Sequence, residues 1–562
     1  MRKKIRDFIL FNESKKDKFL LEDVLEDELF QNKKDTNILK SETNKEVLNV
    51  QKSGKIPSSE YNIKLSVDEN LGYLKNVYDV PKNEDIQIRE FEINIKKSVY
   101  RAFIIFIDGM CNSKFIDDNI ITPLMILGNI DIQSSNTSII DYVEKNLIAH
   151  NQIKKTIKMT DVIAGVNIGE CAVFVDGSQY AILADVKDWE ARGVDKPYSE
   201  MVIRGPQEGF TEKIRTNTAL VRKIINNENL IIESVRVGDK SKTPCSICYI
   251  KDIVNDELVN EVKKRLAGTK IDYLIASGEL EQLIEDNPYL PFPQILSTER
   301  PDRFARFLSE GKVGVLVNGS PFALIMPITH DELIYSAEDN YIRFPSSNLL
   351  RIVRTIGIFS VLFLPGLYIA IINFHQEMIP TDLLIALEAT RERIPFTALI
   401  ELIFMEISFE LIREASIRVP EPIGSTLGIV GGIILGQAAV SANIVSPILI
   451  IIVAITGIGS FAVPNFSIAF SFRILRFFYI FLGSIAGIVG IFTGIFIHLG
   501  ILCNTFSFGV PYMSSSTNDT KASLIDNFFR PPFWMLGGKP KNLKTKYKNY
   551  NTTIAREWEK NK

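Results

Sequence analysis

The apolar residues of this 562-residue chain are segregated. Residues 1–354 carry charge throughout, whereas 355–503 are built mostly from Ile, Leu, Phe, Gly, Val and Ala. A water-soluble domain interleaves the two classes, because each helix or strand needs a wet side and a dry side. Segregation on this scale predicts a soluble head followed by a membrane domain.

Four membrane-length segments stand out. They are 355–374 (TIGIFSVLFLPGLYIAIINF), 423–443 (IGSTLGIVGGIILGQAAVSAN), 446–463 and 477–503. Arg343, Arg351 and Arg354 precede the first, which places that side in the cytoplasm. An even count returns the Lys-rich stretch KPKNLKTKYK (539–548) to the same side. Arg473 and Arg476, ahead of the fourth segment, disagree with this topology, and one more crossing or a re-entrant segment would change it. The N-terminus MRKKIRDFILFNESKKDK lacks the apolar core of a signal peptide, so the head is expected to stay cytoplasmic. Net charge is −3, which gives no basic field for nucleic acid.

The expected organisation is a flexible charged arm (1–87, with a short amphipathic helix near 18–30), a first α/β subdomain (88–200) and a linker strand-turn-helix (201–229). A second α/β subdomain (230–345), a transmembrane domain (346–503) and a cytoplasmic basic tail (504–562) follow. The fold class is thus an α/β head of two related subdomains, then four to five helical spans plus an amphipathic helix. The subdomains are related because VFVDGSQYAIL (173–183) matches VLVNGSPFALI (315–325), each reading as a hairpin with a two-residue Asp-Gly or Asn-Gly turn. Upstream, Phe106 aligns with Tyr249 and the candidate helix cap Asn112 with Asn255.

The repeat also weighs the cysteines. Cys245 and Cys248 resemble a redox or zinc pair, but their counterparts are Ala102 and Ile105. Cys111 aligns with Val254, and Cys171 with Val313. Cysteine here stands in for small apolar residues. The four histidines are scattered, so no metal or cofactor site is expected. In the linker, Arg204, Gly205, Gly209 and Arg215 sit beside a helix start near Thr211. That arrangement suits an anion. Without a G-x-G-x-x-G or Gly-Lys-Ser/Thr motif, a tight linker whose arginines pair with acids of the two subdomains fits better.

Two features of the apolar half carry polar groups. In 401–424, Glu406, Glu410 and Glu414 fall within about 80° on a helical wheel, the wet stripe of an amphipathic helix or of a vestibule. A catalytic use would need a nucleophile or metal motif, and none accompanies them. In 423–443, glycines and alanines at three- and four-residue spacing allow close helix approach. Gln437 and Ser441 share a face there with Ile433, Val440 and Ile444. That face is either a packed core or a pore lining with an apolar constriction.

Long motifs in fixed order now identify a resemblance. VIRGPQEGFTEKIRTNTALVRKII, FPQILSTERPDRFARFLSEGKVGVLVNGSPFALIMP, VPEPIGSTLGIVGGIILGQAAVSANIVSP and RPPFWMLGGKPK resemble the GerA family of bacterial spore germination proteins, in particular the A subunits of nutrient germinant receptors. The resemblance covers about 88 to 540. It implies a multi-pass protein of the inner spore membrane, working with a permease-like B subunit and a lipoprotein C subunit. It also implies assembly into a homo-oligomeric ring, a pentamer by resemblance, acting as an ion channel, with 423–443 as the pore helix. No catalytic residue carries over, so an enzyme is not expected. The related stage V AF protein, linked to dipicolinic acid and ion release, shares the architecture. A carrier-type transporter is a third class.

Overall fold

The computed structural model describes residues 19–21, 62–95, 98–126, 139–150, 152–187, 196–418, 432, 434–514, 529–530, 532 and 540–546. Strands β1 (Ile86–Ile95), β2 (Ser98–Ile107), β3 (Ile153–Thr156), β4 (Glu170–Val175) and β5 (Ala181–Asp185) form an antiparallel sheet in the order β1-β2-β4-β5-β3. Strands β6 (Leu230–Val237), β7 (Thr243–Ile250), β8 (Leu296–Thr298), β9 (Val313–Val317) and β10 (Ala323–Met326) form a second, in the order β6-β7-β9-β10-β8. The registers also coincide. Ala102 pairs with Val175 as Cys245 pairs with Val317, and Ile105 with Ala172 as Cys248 with Gly314. Asn112 accepts from Phe115 N at 2.9 Å and Asn255 from Glu257 N at 3.0 Å, so both cap a helix after the second strand. The hairpin connections are longer than the expected two residues. β4 ends at Val175 and β5 begins at Ala181, with Gly177 at φ 80° completing the first turn.

The inner strands β4, β5, β7, β9 and β10 are buried on both faces, which is why they read as nearly continuous apolar runs, whereas the outer β1, β3 and β6 carry exposed polar residues. On one side of the first sheet Phe103, Ile105 and Phe174 meet helices α1 (Val67–Val77) and α2 (Met159–Asn167) through Leu71, Leu74, Val162 and Val166. On the other, Ile104 and Val173 meet Ile116, Ile120 and Leu124 of a helical run at 113–126. The expected flexible arm therefore differs in its last third, where α1 covers the first sheet. Most of the helix expected near 18–30 lies outside the described residues.

Helix α3 (Ile214–Ile224) joins the halves. Its Arg222 is buried and holds Asp85 through Nε at 2.6 Å and Nη2 at 2.8 Å. The same Nη2 reaches Asn83 at 3.1 Å, and Asn83 accepts from Ile232 N at 3.0 Å. One side chain thus ties the linker helix, the entry to β1 and strand β6. Helices α4 (Asp256–Gly268), α5 (Ser277–Ile284) and α6 (Pro301–Glu310) cover the second sheet.

Beyond the head, helices α7 (Phe344–Phe374), α8 (Thr381–Arg391), α9 (Ala398–Arg418), α10 (Pro447–Phe461) and α11 (Phe466–Cys503) build the C-terminal region. Helix α7 starts against the head, where Ser347 Oγ donates to Asp339 O at 3.0 Å and Arg354 pairs with Asp339 at 2.8 Å. Its 31 residues carry it about 46 Å away. Among the described residues, α7 and α11 have the length and apolar character to cross a membrane.

Helix α11 is bent double. Ala486 (φ −130°, ψ 18°) and Gly487 (φ 58°, ψ −140°) leave helical geometry, and Tyr479 Oη lies 2.9 Å from His498 Nδ1. Nineteen residues of straight helix would part those residues by about 28 Å. The chain therefore folds back at 486–487. The tip packs at the far end of α7, where a Cβ on Gly487 would meet Phe374 and His375. Both feet return to the head: Ser471 Oγ bonds Pro291 O, and the His498 ring stacks on Phe292 with centroids 5.2 Å apart. This corrects the expectation of one rod over 477–503.

Helices α9 and α10 both run back toward the head. Glu401 of α9 meets Ser446 at the far end, whereas Arg413 meets Ser460 near the head. Helix α10 runs the same way, from Ser446 to Gly459, whose Cβ would fall 2.8 Å from Gly357 O of α7. Glycine supplies the close approach at a second crossing too. A Cβ on Gly366 would lie 2.9 Å from Tyr479 O. The tail docks on the head: Lys546 pairs with Asp256 at 2.7 Å, and Arg530 donates to the Asp339 and Ile342 carbonyls.

Candidate functional site

Helix α9 departs from the expected wet stripe. Glu406 is 0% exposed and faces Arg476, itself 1% exposed, at 2.9 Å. Glu410 accepts from Arg473 and from Arg476, each at 2.9 Å. Glu414 is exposed. A helical wheel puts the three on one side of the helix, but it cannot show that α11 presents two arginines to the first two. Two arginines three residues apart lie on one face of α11, opposite carboxylates one turn apart on α9. Four charges close on each other, so both helices keep charge in an otherwise apolar layer. The arginines that disagreed with the topology are thereby structural partners of α9. Arg413 continues the clasp, bonding Ser460 Oγ of α10 and stacking on the Phe461 ring with its guanidinium carbon 4.5 Å from the centroid.

Glu401, also on α9, is buried and accepts from Ser446 N at 3.2 Å. Ser446 in turn caps α10, accepting from Leu449 N at 3.3 Å. The residues ahead of Ser446 form a tight turn, with Asn443 at φ 51° and Ile444 N bonded to Ala439 O at 2.9 Å. Glu401 therefore fixes the point where the small-residue helix turns into α10. Neither Glu401 nor the arginines of α11 were singled out as site residues from sequence.

Of the small-residue helix, residues 434–441 are described and helical, and Ile433 lies outside the described residues. Gly436 and Ala439 face inward, Ala439 being buried and a Cβ on Gly436 meeting Ile450 of α10. Gln437 and Ser441 are exposed on the opposite side, Ile444 is 36% exposed and Val440 is half-buried. Helix α10 thus backs this segment, and its polar positions stay exposed among the described residues.

The linker residues lie elsewhere. Residues 201–210 form an irregular segment, not the expected strand, and α3 begins at Ile214. Arg215 pairs with Asp108 of the first half at 3.5 Å. Gly205, at φ 134°, lies so close to the Tyr341 ring that a Cβ would come within 2.7 Å of it. Gly209 is buried and Arg204 is exposed.

Residues 73–542 match the Bacillus/Clostridium GerA spore germination protein family. The chain belongs to the GerA family. Among its relatives, spore germination protein KA of Bacillus subtilis is 37% identical over 85% of this chain and 87% of its own length. Spore germination protein GerLA of Bacillus cereus is 36% identical over 82% and 93%. The uncharacterized membrane protein YfkQ of Bacillus subtilis is 38% identical over 81% and 87%. Among solved structures, the N-terminal domain of the A subunit of the Bacillus megaterium germinant receptor GerK3 matches at 29% identity, with a TM-score of 0.37, covering 47% of this chain and 96% of that one. The GerA match spans the head, the clasp and the small-residue helix alike.

Proposed function

We propose that this chain is the A subunit of a nutrient germinant receptor and that copies of it assemble in the inner spore membrane as a ring enclosing an ion path. The observation that carries the reading is the small-residue helix, which leaves Gln437 and Ser441 exposed while its Gly436 side packs on α10. A polar face in an apolar layer needs either a partner subunit or water, and a ring supplies both.

The helix directions support six crossings. Helix α7 leads away from the head, α9 returns, the described segment 434–441 leads away, α10 returns, and the arms of α11 lead out and back. The head and the docked tail then share one side, which Arg343, Arg351 and Arg354 at the start of α7 make the cytoplasm. A short crossing such as α10, of 15 residues, is tolerated because it lies among other helices. In this reading the B and C subunits named by the resemblance join the complex, and release of cations starts germination. No enzymatic step is assigned, since the relatives reported above carry no enzyme name.

Val440→Ala and Val440→Trp, reconstituted in liposomes, test the pore face. Widening the constriction raises cation flux without nutrient, and blocking it abolishes flux. Flux that ignores both changes removes this face from the ion path. A stage V AF-like role in dipicolinic acid release would show as transport of that anion in the same liposomes. A carrier would move substrate stoichiometrically without channel currents.

A further inference from the structure

At the end of the helical layer away from the head lies a cavity of about 380 Å³, within the range that holds small ligands. Its apolar lining is formed by Ile372 at the end of α7, Leu384 and Leu387 of α8, and the exposed Phe396. Its rim is charged with both signs, through Glu388, Arg391 and Glu392. Helix α8 buries only Leu387, so it is a lightly packed wall over this space.

A second observation points the same way. Glu401 is 1% exposed, and its Oε1 has no hydrogen-bond donor among the described residues. Arg391 Nη2 stands 3.6 Å from that oxygen. The other oxygen of Glu401 holds Ser446 N at the turn that ends the small-residue helix. Arg391 therefore lies between the cavity and a buried carboxylate whose second oxygen fixes that turn.

We propose that this cavity is a binding site for a zwitterion carrying an apolar tail. The acid group sits on Arg391, the ammonium on Glu388 or Glu392, and the tail on the apolar lining of Leu387 and Phe396. An acid at Arg391 competes with Glu401 for the guanidinium, so occupancy alters the restraint on the turn at Ser446. That coupling rests on the pore reading above; the site itself does not. The shared chemistry has two sources: a phosphatidylethanolamine headgroup from the bilayer, or a free apolar amino acid from water.

The test is native mass spectrometry of the full chain purified in detergent. It is titrated with dioleoyl-phosphatidylethanolamine, with L-leucine, and with dioleoyl-phosphatidylglycerol as a probe lacking the ammonium. At least one zwitterion is expected to bind more tightly than phosphatidylglycerol, and to lose about tenfold or more in Arg391→Gln and in Glu388→Gln/Glu392→Gln. Binding of the lipid alone assigns the bilayer source, and of leucine alone the aqueous one. The proposal is overturned if neither zwitterion outbinds phosphatidylglycerol, or if the double variant binds as the unmodified chain does. The double variant changes only exposed rim residues, so it decides the matter even where Arg391→Gln does not fold. A negative result leaves the cation-flux test of the pore face standing.

Discussion

Glu406 and Arg476 make a pair that neither could make with water, since both are buried. Removing Glu406 leaves buried Arg476 with Glu410, already shared with Arg473, as its carboxylate, so the cost approaches the roughly 3–5 kcal/mol of a broken buried pair without a full loss of partners. Glu406→Ala is therefore expected to lower the thermal midpoint and the membrane level of the purified chain sharply, with Glu406→Gln milder because it keeps a polar contact. A Glu406→Ala protein as stable as the parent would contradict the clasp. The cysteines make a second residue-scale case. Burial pushes the Cys111 and Cys245 thiols up to about 12 and raises those of Cys171 and Cys248 as well. Cys503 alone is exposed. Maleimide at neutral pH should label Cys503 in the native protein and reach the other four only after denaturation. The four cysteines of the head were legible in sequence because the repeat gave each an apolar counterpart; Cys503 lies outside the repeat. Glu406 was not, because a helical wheel shows which residues share a face and nothing about what faces them.

At the scale of elements, hydropathy misread direction. The run 477–503 is 27 residues, about 40 Å of helix, longer than the roughly 30 Å hydrocarbon layer. That excess was the available hint, and Gly487 is where the chain uses it to fold back. Gly487→Val forces a β-branched residue to positive φ and drives its Cβ against His375 and Phe374. It should cost about 2 kcal/mol or more, read as a lower thermal midpoint, whereas Gly500→Ala, with open space around it, should not. Helix α5 carries an electrostatic prediction. Burial lifts Glu281 to about 7, and burial with the neighbouring charges of Glu281 and Asp286 lifts Glu285 to about 8. The unfolded chain releases these protons near pH 4.5, so between about 4.5 and 8 the folded state binds more of them. Stability from this source is present at low pH and lost as pH rises through that window. In Glu281→Gln/Glu285→Gln the thermal midpoint should fall less between pH 5 and pH 8 than in the parent; equal slopes would remove these carboxylates from the account.

For the whole molecule, the doubled α/β head was readable from two matched hairpins, and the two sheets share strand order and register residue for residue. The layer of helices was readable as apolar, but its packing was not. Close approach at Gly357, Gly366 and Gly459 depends on which helices meet, and the wheel of α9 depends on arginines more than sixty residues away. The central claim is that the uncovered face of 437–444 meets copies of itself around a common axis. Electron microscopy of the purified full chain, viewed along the membrane normal, tests this most directly. The account predicts a closed ring with a central opening lined by Gln437 and Ser441. A monomer, or a dimer with no opening on its axis, would contradict it.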